Sequence, residues 1–181
     1  WNDNKKDSSK PFFMWAHFYD PHHPHIVHDG YESFEDDYDA EIAYMDDQIE
    51  RLRAKITNDH PNTIWILLAD HGEAFHGEHS ETSHGMFLYD ETMRIPWIIQ
   101  PYPPLKEEEV IDAPISVVDL PNTVLGMIGL ETMKETDGID IFNGHKTSPI
   151  YMEASVVQQR FGYHPEIALT DGDIKLMPTP T

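Results

Sequence analysis

An α/β domain, with a mostly parallel central sheet flanked by helices and small strands at its C-terminal end, is the fold class this sequence predicts. Three features predict it. The run Ile64-Trp65-Ile66-Leu67-Leu68-Ala69 has no polar interruption and stops at Asp70-His71-Gly72. A short, wholly apolar run of this kind reads as a strand buried on both faces of a parallel sheet. Upstream, Ile42, Met45, Ile49, Leu52 and Ile56 recur at the spacing of one helix face between Asp37 and Asn58. Before that helix, Pro11 to Phe18 reads as a strand, so strand, helix and strand follow one another as a βαβ unit.

The remaining elements follow in order. Residues 1–10 are polar and read as a surface linker, and residues 11–181 as one partial domain. Tyr19 to Gly30 is a loop rich in histidine and proline, in which most histidines read as surface residues and His17, just before it, as buried. Glu50, Arg51, Arg53 and Lys55 fall on or near the solvated side of the predicted helix, and His60-Pro61-Asn62 ends it. Trp97 to Gln100 is a short strand between Pro96 and Pro101, and Lys106 to Glu109 an exposed loop. Asp119 to Gly129 reads as a helix, with Asp119 as its cap, Pro121 in its first turn and Gly129 at its end. Two strands close the chain, Ile150 to Glu153 and Ile167 to Leu176, the second broken by Asp171-Gly172.

Composition narrows the function classes. With 33 acids against 12 Lys and Arg, the net charge of −21 repels a polyanion, so nucleic acid is excluded as a partner. The excess acid reads as a solvated acidic surface, or as adaptation to high salt in a halophilic organism. No apolar run is long enough for a transmembrane helix. Cytoplasmic and exported locations both fit. The sequence has no cysteine, which removes disulfides as staples.

The junction after the apolar run holds the chemistry. Open α/β sheets bind ligands at the carboxyl ends of their strands. There, Asp70 and His71 offer a carboxylate oxygen and a ring nitrogen, a donor pair suited to a divalent cation. Gly72 reads as the residue that lets the chain turn sharply behind them. A bare Asp-His-Gly tripeptide reads as readily as a cap beside a packed histidine; the surrounding sequence decides.

Pro11-Phe12-Phe13, Asp20-Pro21-His22-His23-Pro24, Tyr38-Asp39-Ala40-Glu41-Ile42-Ala43-Tyr44, Ala69-Asp70-His71-Gly72-Glu73, His84-Gly85 with Leu88-Tyr89-Asp90-Glu91, Arg94-Ile95-Pro96, and Val118-Asp119-Leu120 occur in that order. This ordered set resembles the sulfatase family of the alkaline phosphatase superfamily from about Pro11 to Lys175. The resemblance implies an alkaline phosphatase-like fold, of which this chain is the second half. It also implies a missing N-terminal half that supplies two further metal-binding acids and a Cys/Ser-x-Pro-x-Arg nucleophile, the source of formylglycine. No such motif occurs here: Ser9-Lys10-Pro11-Phe12-Phe13 lacks the arginine.

By the same resemblance, Asp70 and His71 match the second pair of metal ligands, for calcium first, with manganese or zinc left open by the histidine. His22 matches the histidine that contacts the ester or its leaving group. His84 stands where many members carry a lysine on a sulfate oxygen, while His76 and His79 read as loop architecture. The implied function is hydrolysis of a small-molecule or glycan sulfate ester, by the complete protein and not by this chain alone. The alternatives are a phosphodiester or phosphonate hydrolase or phospho-group transferase of the same superfamily, and a non-catalytic metal- or partner-binding module with a vestigial site.

Overall fold

The computed structural model describes residues 10–75, 81–103, 105, 107–144 and 149–177. It resolves into two compact units, Trp1–Thr63 and Ile64–Thr181. The predicted linker, apart from Lys10, lies outside the described residues, as do His76 and His79.

The first unit is a loop laid on one long helix, α1 (Asp37–Asp59). Asp36 starts α1 by accepting the Tyr38 amide at 2.8 Å, and Asp37 and Asp39 place negative charge at the positive end of the helix dipole. The helix stops where His60 N–H donates to the Ile56 carbonyl at 2.7 Å. Its buried residues are Ala40, Glu41 and Ile56, whereas Ile42 is exposed. The loop is held by aromatic and polar contacts: His28 stacks on Tyr44 at 3.6 Å, and the Tyr31 hydroxyl donates to Asp47.

Pro11 to Phe18 does not form the predicted strand, so the βαβ unit is not made. A strand must pair its N–H and C=O groups with a neighbour. No ladder among the described residues includes this segment, and Phe13 and Trp15 stand 79% and 74% exposed. His17 is exposed too, not buried.

In the second unit β1 (Trp65–Leu68) pairs with β2 (Trp97–Gln100), and between them lies the short helix α2 (Asp90–Met93). A 3-10 turn at Val117–Asp119 leads into α3 (Leu120–Met127). The C-terminal part is a three-stranded sheet of β3 (Ile150–Ala154), β4 (Glu166–Thr170) and β5 (Lys175–Leu176), with α4 (Val156–Phe161) between its first two strands.

All three ladders among the described residues are antiparallel, including β1 with β2, where Trp65 faces Gln100 and Leu68 faces Trp97. The expected parallel central sheet is therefore not what these residues build. An apolar run marks a strand, but the direction of its neighbour depends on the connection between them. Nor is β1 buried on both faces, since Leu67 is exposed.

Asp119 also departs from expectation. Its carboxylate does not cap α3; it accepts the Ser116 amide at 2.8 Å and the Ile139 amide at 3.0 Å. Asn122 and Thr123 continue this polar seam, binding the carbonyls of Gly138 and Asp119 at 2.6 and 2.8 Å. Buried polar atoms need such partners, and here they fasten the segment 133–141 to α3.

The apolar core of this unit is Leu88 with Ala154 and Ala168, flanked by Met93, Met152 and Met177. Leu88 is also gripped by its backbone. Its N–H donates to Glu166 Oε2 at 3.0 Å and its carbonyl accepts from Lys175 Nζ at 2.9 Å. Because Leu88 is fully buried, Leu88→Ala is expected to destabilise the unit by about 2–5 kcal/mol, read by urea unfolding.

Burial, aided by the nearby Glu81 charge, pushes the Glu166 carboxyl above the usual glutamate range despite the Leu88 amide. The folded state then holds its proton longer than the unfolded chain does. That contribution is present in acid and lost as pH rises through the folded value. Glu166→Gln keeps an acceptor for Leu88 without the charge. Its stability relative to the unsubstituted chain should therefore rise between acid and neutral pH in paired unfolding curves.

Candidate functional site

The segment after β1 runs against α2. Gly72 N–H donates to the Thr92 carbonyl at 2.8 Å, and a Cβ on Gly72 would lie 2.3 Å from the Glu91 carbonyl oxygen. Close approach to α2, not a sharp turn, is what requires glycine here, because its φ lies outside the positive region. Two residues on, buried Ala74 donates to the Ser83 carbonyl at 3.3 Å, which brings residues 73 and 84 to the same place. Gly85, at φ +87, turns the chain immediately after His84 in a conformation that favours glycine.

Asp70, His71, Glu73 and His84 are thereby gathered at the end of β1. Asp70 Oδ1 lies 3.9 Å from His71 Nε2 and accepts the His71 amide at 3.1 Å. His71 Nδ1 is 2.8 Å from the Gly72 carbonyl. A carbonyl only accepts, so Nδ1 carries the hydrogen and Nε2 keeps its lone pair, the form a metal ligand needs. The His71 and His84 rings stack with centroids 3.8 Å apart and planes at 26°. His84 Nδ1 meets Glu73 Oε2 at 3.1 Å and Oε1 at 3.4 Å.

The pair Asp70 and His71 fits a shared divalent cation. Bonds of about 2.0–2.6 Å to nitrogen and oxygen donors span at most about 5.2 Å, and the 3.9 Å separation lies within that reach. Both side chains are open to solvent, with Asp70 at 74% and His71 at 39%. The carboxylate stands clear of the sheet because β1 ends before it. Among the described residues, no three His, Asp or Glu converge as a metal-binding group. The pair is two donors, not a complete set.

His22 belongs to the first unit. Its Nδ1 donates to the His23 carbonyl at 2.7 Å, and its ring stacks on Tyr19 at 4.4 Å. The loop that carries it is tied to α1 by Glu41, which accepts from His25 Nδ1 at 2.9 Å and from the Ile26 amide at 2.8 Å. His28, close to Asp20 and stacked on Tyr44, is part of that packing.

Two acids of evident structural weight were not singled out from the sequence. Glu41 carried a signal: counting back four from Met45 along Ile56, Leu52, Ile49 and Met45 reaches Glu41, not Ile42. An acid at a core position needs partners, and His25 and Ile26 supply them. Glu73 carried no signal, because only the Ala74–Ser83 contact reveals that it faces His84.

A family model described as Sulfatase matches residues 1–130. The Escherichia coli (strain K12) protein described as "Uncharacterized sulfatase YidJ" is 33% identical over 99 residues, which make up 54% of this chain and 19% of that protein. The chain belongs to the sulfatase family, whose fold is alkaline phosphatase-like α/β. It aligns with about a fifth of the length of that relative.

Gly72→Ala should break the seat of the Asp70-His71 pair on α2. Because the obstacle is backbone, the expected loss is about 1–3 kcal/mol by thermal unfolding. Gly30→Ala, with no atom within 4 Å of its added Cβ, serves as a comparison for a positive-φ glycine that is not crowded.

Proposed function

We propose that this chain carries the cation- and ester-holding part of a metal-dependent sulfuric ester hydrolase. The observation that supports it most is the convergence of Asp70 Oδ1 and His71 Nε2 at 3.9 Å, with the histidine tautomer set by Gly72. Asp70 and His71 would hold the cation, calcium first because a carboxylate is a hard donor, with manganese or zinc compatible with the imidazole. When bound, such an ion polarises an ester oxygen and stabilises charge that develops on the transferring group.

Two further residues of this chain would act on the ester itself. His84, packed against His71, would hold a second ester oxygen by hydrogen bond. His22, with Nδ1–H committed to the His23 carbonyl, would meet the leaving-group oxygen through Nε2. Nε2 bears a hydrogen to donate only when the ring is an imidazolium, so His22 acts as an acid in that form. The substrate class is a small-molecule or glycan sulfate ester.

Without cysteine or a Cys/Ser-x-Pro-x-Arg motif, the 181-residue chain alone should turn over neither aryl sulfates nor aryl phosphates. Turnover that survives purification and vanishes in His22→Ala would overturn the division of the site. In the catalytically complete protein, Asp70→Ala should lower aryl sulfate turnover by more than about 100-fold, since residues merely behind metal ligands cost 10–100-fold. Because Asp70 is exposed, stability should change by no more than about 0.5 kcal/mol. Equal loss of activity and stability would make Asp70 a structural residue. Faster turnover of aryl phosphodiesters than of sulfates would move the reading to phosphoryl chemistry. Absence of any turnover would favour a non-catalytic binding module.

A further inference from the structure

We infer that Glu73 is the positioning residue of His84: its carboxylate fixes the tautomer and the orientation of the His84 ring. The inference rests on the reading of His84 as an ester-holding residue. Its basis is the pairing of consecutive backbone positions with stacked rings. Gly72 supplies a carbonyl to His71 Nδ1 at 2.8 Å, and Glu73 supplies a carboxylate to His84 Nδ1 at 3.1 Å. A carboxylate accepts only, so His84 Nδ1 carries the hydrogen of this contact. The two stacked histidines thus share one orientation rule, although their partners differ in charge.

The setting makes the Glu73 contact effective. Its side chain is 12% exposed against 30% for His84, so water competes little for the carboxylate. The Ala74–Ser83 backbone bond holds the two residues opposite each other, and Gly85 fixes the exit from His84. A ring free at χ2 could turn either nitrogen towards Glu73; a ring with Nδ1 fastened and one face against His71 keeps one orientation. Orientation of this kind is what residues behind a working side chain contribute, typically 10–100-fold in activity.

The test reads the tautomer directly. In the 181-residue chain with 15N-labelled histidine, long-range 1H–15N correlation under alkaline conditions should show neutral His84 protonated at Nδ1. Glu73→Ala should move it towards the Nε2–H form, and Glu73→Gln, whose amide oxygen still accepts, should keep Nδ1–H. His71 should stay unchanged in both variants, because its partner is a backbone carbonyl. An Nε2–H form of His84 in the unsubstituted chain, or in a folded Glu73→Gln variant, would overturn the inference, as would an unchanged tautomer in Glu73→Ala. In the catalytically complete protein, Glu73→Ala should lower kcat for an aryl sulfate by about 10–100-fold, with Glu73→Gln restoring most of it. A shifted tautomer with unchanged kcat would also overturn the positioning role. Failure of the unsubstituted protein to hydrolyse aryl sulfates would instead sink the proposed function, and the tautomer alone would then decide whether Glu73 orients His84.

Discussion

Leu88 is the point on which the second unit turns. Its side chain packs with Ala154 of β3 and Ala168 of β4, while Glu166 and Lys175 take its two backbone groups. The same lysine reaches Asp90 at the start of α2, and Met93 at the other end of α2 packs on the Leu88 core. α2 in turn receives Gly72 through the Thr92 carbonyl. The end of β1 is therefore placed by a relay: sheet to Leu88, Leu88 to α2, α2 to Gly72.

Acidic residues do much of this holding. Glu166 takes the Leu88 amide, Glu81 takes the Met86 and Phe87 amides, Asp119 takes two amides and Glu41 takes one amide and a histidine. A carboxylate has two oxygens and no hydrogens to satisfy, which suits loops whose N–H groups lack ladder partners. In a chain with 33 acids, a share of the negative charge thus serves as internal stitching, and the rest as solvated surface.

Much of the fold was legible because local patterns settle local structure. The periodicity of Ile42 to Ile56 located α1, the prolines around Trp97 to Gln100 bounded β2, and Asp171-Gly172 marked the turn between β4 and β5. What could not be read was pairing. Neither the direction of β1 against β2 nor the lack of a ladder for Pro11 to Phe18 is written in those residues alone. The short helices α2 and α4 escaped notice, having too few residues for a periodic pattern. For the site, the Asp70-His71 adjacency and the motif around His84 were visible as residue types, and His22 as part of the Asp-Pro-His loop. The partners that orient them were not, because a carbonyl has no letter of its own and Glu73 meets His84 across a loop.

The seating of Gly72 on Thr92 separates two properties that often travel together. Asp70 and His71 stand in solvent, yet the peptide that follows them is pinned to a helix. The Gly72 amide can exchange its hydrogen only when the segment lifts off α2, so an exposed stretch inherits the protection of the packed layer beneath it. A ligand arriving there meets side chains on an already ordered backbone, and little further chain entropy is surrendered when it is captured.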